Sequence, residues 1–85
     1  MPPVDVPTFV DIISSLAEEA LTDERISHPE RRVFVTIQTE YTLEKGVSIA
    51  EVERRLEKLF FMKVKYIPFF HRVFMWEYPK EKKAG

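Results

Sequence analysis

The side chains that could do acid–base or metal chemistry are few and scattered. His28 and His71 are the two histidines, the side chains that titrate near neutral pH. His28 precedes a proline and His71 lies near the tip of a hairpin, and neither has partners spaced to act with it. Asp23, Glu24 and His28 would meet at one metal only if a helix ran on past them, and ligation needs several convergent groups of suitable type. There is no cysteine, which removes disulfides, thiolate catalysis and Cys-held metals. Gly46 and Gly85 are the only glycines, so there is no glycine-rich phosphate loop. Ser14, Ser15, Ser27 and Ser48 fall at ordinary helix, loop and cap positions. The expectation is a non-enzymatic protein with no catalytic residue, metal, cofactor or small-molecule substrate.

The chemistry that remains is recognition. KYIPFFHRVFMWEYPK, residues 65–80, holds six of the chain's eleven aromatic residues, interleaved with Lys65, Arg72 and Lys80. Rings over a charged track bind single-stranded nucleic acid by stacking, worth on the order of 1–3 kcal/mol per base. Charge is also unevenly divided along the chain. Residues 1–53 carry four cations against eleven carboxylates, whereas residues 54–85 carry nine cations against three. A chain split this way can present a basic face at a net charge of −1, unless its two halves neutralise each other in the fold.

The elements that must position these residues follow from periodicity. Pro2, Pro3 and Pro7 make residues 1–7 an extended leader. Thr8 then caps a helix with Asp11 three residues on. Phe9, Ile12, Ile13, Leu16, Ala17, Ala20 and Leu21 form its apolar stripe, and the helix is expected to end around Thr22–Arg25 before His28-Pro29. Residues 32–42 alternate and are rich in β-branched types, which predicts a strand with Val33, Val35, Ile37, Thr39 and Tyr41 on one face. Ser48 and Glu51 make a capping box for a second helix, with Val47 stapled on Val52. Its buried stripe is Ile49, Val52, Leu56, Leu59 and Phe60, and Arg54, Arg55 and Lys58 form a basic ridge on the exposed side. Residues 62–67 and 71–78 alternate as strands, and a short charged tail runs from Pro79 to Gly85. The expected fold is α+β: one small domain over 1–85, with two helices on a mainly antiparallel sheet in the order α-β-α-β-β.

Register decides which side chains of the hairpin share a face. If Ile67 pairs with Arg72, then Lys63, Lys65, Ile67, Arg72, Phe74, Trp76 and Tyr78 lie on one side. Met62, Val64, Tyr66, Val73 and Met75 lie on the other. If the pairing shifts by one, the large aromatics join Met62 and Val64 on a buried face, leaving Lys63, Lys65, Val73, Met75 and Glu77 outside. A small domain needs its rings for the core, which favours the shifted register. In either register the connection has neither the glycine nor the asparagine of a tight turn, and calls for a wider loop or a bulge. Phe69 and Phe70 stand at that bend, either folded back over the first helix or free to insert into a partner.

EKGVSIAEVERRLEKL followed by VKYIPFFHRVFMWEY resembles in outline the first helix of a helix-turn-helix and the wing of a winged-helix protein. That resemblance implies a direct DNA binder, although the sequence turns to β after Phe60–Phe61, where such proteins place a recognition helix. The leading expectation is an interaction module, an accessory subunit of a nucleic-acid-handling complex. Its partner-binding residues would be Phe69, Phe70, His71 and Arg72, docking a protein partner or a homodimer mate. Nucleic acid would be met by Arg54, Arg55, Lys58, Lys63, Lys65, Arg72, Phe74 and Trp76. The remaining reading is a homo-oligomeric structural protein with no nucleic-acid role. No apolar run approaches the roughly 18–20 residues that cross a bilayer, and MPPVDVPTF is not a secretory signal, so a cytoplasmic protein is expected. Absent asparagine, one glutamine and abundant Glu, Lys and Arg make the composition that of a thermophile protein.

Overall fold

Asp5 opens the first helix. Its carboxylate accepts the Thr8 N–H at 2.9 Å, and α1 runs over Val6–Ser27 with Pro7 in its first turn. The expected cap, Thr8, is already helical: a carboxylate three residues upstream is the stronger acceptor, and proline is tolerated where no intrahelical N–H is needed. Hydrogen bonding from the Thr8 side chain, and then from its backbone N–H, holds the Asp5 carboxyl below its ordinary value. At the other end α1 outruns the expected stop at Thr22–Arg25, until His28 caps it by donating its N–H to the Glu24 carbonyl at 2.9 Å. The computed structural model describes residues 2–79, so most of the charged tail lies outside the described residues.

The leader expected over 1–7 is structured from Pro3 onward. Pro3–Val4 form β1, which pairs in parallel with β3, Thr42–Leu43, and α1 follows directly. The expected strand over 32–42 divides into β2, Phe34–Gln38, and this separate β3. The second helix, α2, spans Ile49–Phe60, with the Ser48 hydroxyl accepting the Glu51 N–H at 3.3 Å. Glu51 does not reach back to complete the capping box. Its carboxylate pairs instead with Arg55 at 3.0 Å and with Arg54, and these two hold its carboxyl below the ordinary value. Phe61 ends α2 in the left-handed conformation, and β4, Lys63–Ile67, begins two residues later. The helix-turn-helix outline therefore does not form, because the chain enters the sheet where a recognition helix would stand.

The last strand, β5, Arg72–Trp76, lies between β2 and β4 and is antiparallel to both. β2 and β4 are thus parallel to each other, joined through α2 with β5 slotted between them. Both helices pack on one face of this sheet. The core there is Phe9, Val10, Ile13, Ala17 and Leu21 of α1, Val52 and Leu56 of α2, and Val33, Val35, Ile37, Met62, Val64, Tyr66, Val73 and Met75 from the sheet. Phe9 packs against Tyr66 with ring centroids 5.0 Å apart and the planes tilted by 43°. The stripe foreseen on α2 is narrower than its spacing suggested, since Ile49 and Leu59 are exposed.

The hairpin adopts the register in which Ile67 pairs with Arg72, Lys65 with Phe74 and Lys63 with Trp76. The preference for the shifted register is overturned. Its cause is the connection: Pro68–Phe70 make one 3-10 turn, and His71, in the left-handed conformation, donates its N–H to the Pro68 carbonyl at 3.0 Å. Four linking residues closed in this way fix which strand positions meet. Val73 and Met75 consequently fill the core, and Phe74 and Trp76 face outward.

α2 also guards one edge of the sheet. Glu57 accepts the Val64 N–H at 3.0 Å and Glu53 accepts the Tyr66 N–H at 2.8 Å, the two outward-pointing donors of β4. Replacing Glu53 or Glu57 by alanine leaves a strand N–H without its charged acceptor and should cost about 1–3 kcal/mol each. Chemical denaturation measures the loss, and faster hydrogen exchange at Tyr66 or Val64 localises it.

Tyr66 gives a pH prediction. Burial raises its phenol above the ordinary value, so the folded state favours the neutral ring. That contribution is complete below the unfolded pKa of about 10 and is lost as pH rises through the raised folded value. Stability should therefore fall on the alkaline side of pH 10, and Tyr66→Phe should flatten that limb in a thermal-melt series.

Candidate binding face of the sheet

Alternation along three strands places nine side chains on the face that carries no helix: Phe34, Thr36 and Gln38 of β2, Arg72, Phe74 and Trp76 of β5, and Lys63, Lys65 and Ile67 of β4. They form three rows across the sheet, with Phe34–Trp76–Lys63 first, Thr36–Phe74–Lys65 next and Gln38–Arg72–Ile67 last. Three of the nine are cations and none is a carboxylate. No ion pair engages Lys63, Lys65 or Arg72 among the described residues.

Rings and charges are segregated within this face. Phe34, Phe74 and Trp76 occupy the β2–β5 side, and the two lysines line β4. Phe34 is 55% exposed and its ring lies 6.3 Å from that of Phe74, tilted by 44°. Strand spacing of about 4.8 Å sets Lys65 beside Phe74, with Lys63 beside Trp76. The lysines are two residues apart on one strand, hence about 7 Å apart along it. An open, mainly apolar groove of ≈ 510 Å³ runs between Arg32, Val33, Phe34, Lys65, Phe74 and Trp76. Arg32 is held at its rim by donating from Nη2 to the Glu77 carbonyl at 2.9 Å. Tyr78 continues the aromatic row past the sheet, with the Lys63 ammonium 6.0 Å from its ring centroid, at the outer limit of a cation–π contact.

The residues expected to meet nucleic acid thus fall into two groups. Lys63, Lys65, Arg72, Phe74 and Trp76 share the open face. Arg54, Arg55 and Lys58 stand on α2 in the other layer, and Arg54 and Arg55 are both engaged by Glu51. Lys58 and Arg54 meet the sheet end only at a shallow cleft with Glu57, Phe61 and Tyr78. Phe34 and Arg32 were not among the expected residues. The alternation of 32–42 carried their signal, because every second residue outside the buried set had to face away from the helices.

The expected partner-binding residues remain together at the tip. Phe69 and Phe70 are 86% and 60% exposed and stack edge to face at 5.2 Å, so they do not fold back over α1. His71 has a buried Nδ1 with no hydrogen-bond partner, and its carbonyl accepts the Thr39 N–H at 2.8 Å. Arg72 joins the tip to the open face. Asp23, Glu24 and His28 do not converge: α1 stops at Ser27 and Glu24 pairs with Arg31. Among the described residues no helix is long and apolar enough to cross a membrane. No protein-family model, curated protein or solved structure matches this chain.

Proposed function

We propose that the protein is a non-enzymatic module that holds single-stranded nucleic acid on the open face of its sheet. The observation that carries this reading is the make-up of that face. Three rings, Phe34, Phe74 and Trp76, lie beside a lysine-lined strand with no carboxylate among the nine outward positions. Bases have π-faces that stack on such rings without regard to sequence, and the lysines track the phosphates. Lys63, Lys65 and Arg72, with Arg32 at the rim, would neutralise three or four phosphates. The logarithm of affinity should then fall with the logarithm of salt with a slope of about −2 to −3.

Fluorescence titration with short labelled single strands tests this directly. Phe34→Ala and Phe74→Ala should each weaken binding by roughly 5- to 150-fold, the worth of one stacked base, without shifting the thermal midpoint much for the more exposed Phe34. Lys63→Ala with Lys65→Ala should flatten the salt slope by about 1.4. Absence of binding at low salt would end the proposal.

A second reading is favoured by the tip. Two adjacent, exposed rings on a fixed 3-10 turn suit insertion into a protein partner, which would make the chain an accessory subunit of a nucleic-acid-handling assembly. Phe69→Ala combined with Phe70→Ala should leave the thermal midpoint unchanged while abolishing co-purification of that partner. Unfolding of this variant would instead assign the two rings to the core.

A further inference from the structure

The two edges of the sheet are treated differently. On β4 the outward N–H groups of Val64 and Tyr66 are taken by Glu57 and Glu53, and Lys63 and Lys65 charge the strand. On β2 nothing comparable occurs. The bonds from Thr39 N–H to the His71 carbonyl and from Glu77 N–H to the Val33 carbonyl set the phase of the ladder, so Val33, Val35, Ile37 and Thr39 face β5. Phe34, Thr36 and Gln38 therefore point their N–H and C=O groups away from the sheet. Among the described residues these groups have no hydrogen-bond partner. From Val33 to Thr39 the strand has no charge and no proline, the devices that keep edges from pairing.

Each flank of this edge exposes a large apolar side chain. Phe34 stands half exposed on the outer side. On the helix side Leu16 is 40% exposed although it belongs to the apolar stripe of α1. It lines a groove of ≈ 470 Å³ with Ile12, Ser15, Gln38, Glu40 and Tyr41.

We propose that β2 is the seam of a homodimer, in which a second copy of the chain adds its own β2 antiparallel across a two-fold axis. The register with greatest overlap sets Thr36 opposite Thr36 of the second copy and Phe34 opposite Gln38 of the second copy. The three outward residues of each strand then exchange about six backbone hydrogen bonds. A second copy fits because the strand is neutral and meets itself without like charges, and the contact is isologous. Closure follows as well. The β4 edge is occupied by Glu53 and Glu57, so pairing stops at two copies, and Leu16 and Ile12 flank the seam beneath one continuous six-stranded sheet. The seam does not depend on what the outer face binds.

The test is the mass of the free protein in solution, without nucleic acid, by sedimentation or light scattering at micromolar concentration. The expected result is twice the chain mass of 10.1 kDa. Thr36→Pro removes the central outward N–H at an edge position that tolerates proline. Thr36→Lys sets like charges directly opposite each other. Each should give a monomer with an unchanged circular dichroism spectrum. Hydrogen exchange on the unaltered chain supplies an independent reading should a variant fail to fold. Phe34, Thr36 and Gln38 amides should be protected as strongly as Val35 and Ile37, and lose that protection on dilution. A monomer, an assembly larger than two, fast exchange at all three amides, or a dimer that survives both substitutions would overturn the proposal.

Discussion

A sheet has two faces, and this chain has helices for only one. α1 and α2 lie on the same side, and the fifteen buried apolar residues all belong to that single interface. An 85-residue chain buries roughly 60–65% of the surface it exposes when unfolded, which leaves little to build a further layer. The outer face is bare for this reason before any question of function arises. What is unusual is its content: a bare face would ordinarily carry polar alternates, whereas three of the nine outward positions here are large rings.

The core manages without those rings because other residues fill it. Val33, Val35, Ile37, Val64 and Val73 supply stiff, β-branched volume from the sheet, and Met62 and Met75 adapt to the gaps between it and the helices. Among the described residues Phe9 and Tyr66 are the fully buried rings, packed against each other, and Phe60 adds a partly buried one. A small domain need not bury all its rings when other side chains fill the core. Two methionines and a run of valines do the filling, and Phe74 and Trp76 are left over.

Helices, strands and their order were legible because the periods are clear: alternation in 33–39 and 62–67, and three- and four-residue spacing from Phe9 to Leu21. The register was not, since both pairings preserve the alternation and differ only in the geometry of four residues at the bend. Periodicity has nothing to say about a 3-10 turn closed by a left-handed His71. The clamps from Glu53 and Glu57 were equally invisible. Their acceptors meet N–H groups thirteen and seven residues away, and on the helix alone they look like two solvated carboxylates. Thr8 looks like the cap in the sequence because Pro2, Pro3 and Pro7 read as a leader, while the structure uses Pro7 inside the first turn.

The four-residue bend has a consequence for how such a chain can change over generations. If the bend keeps its four residues, insertion or loss of a single residue beside it would reverse the sides of β5 relative to β4, sending Phe74 and Trp76 towards the helices and Val73 and Met75 into water. A change of two residues would preserve the sides. Descendants of this sequence should therefore vary at Phe69 and Phe70 in identity, and beside the bend in steps of two in length, but not in steps of one. The fixed geometry of that short bend is what keeps the aromatic residues on the outer side.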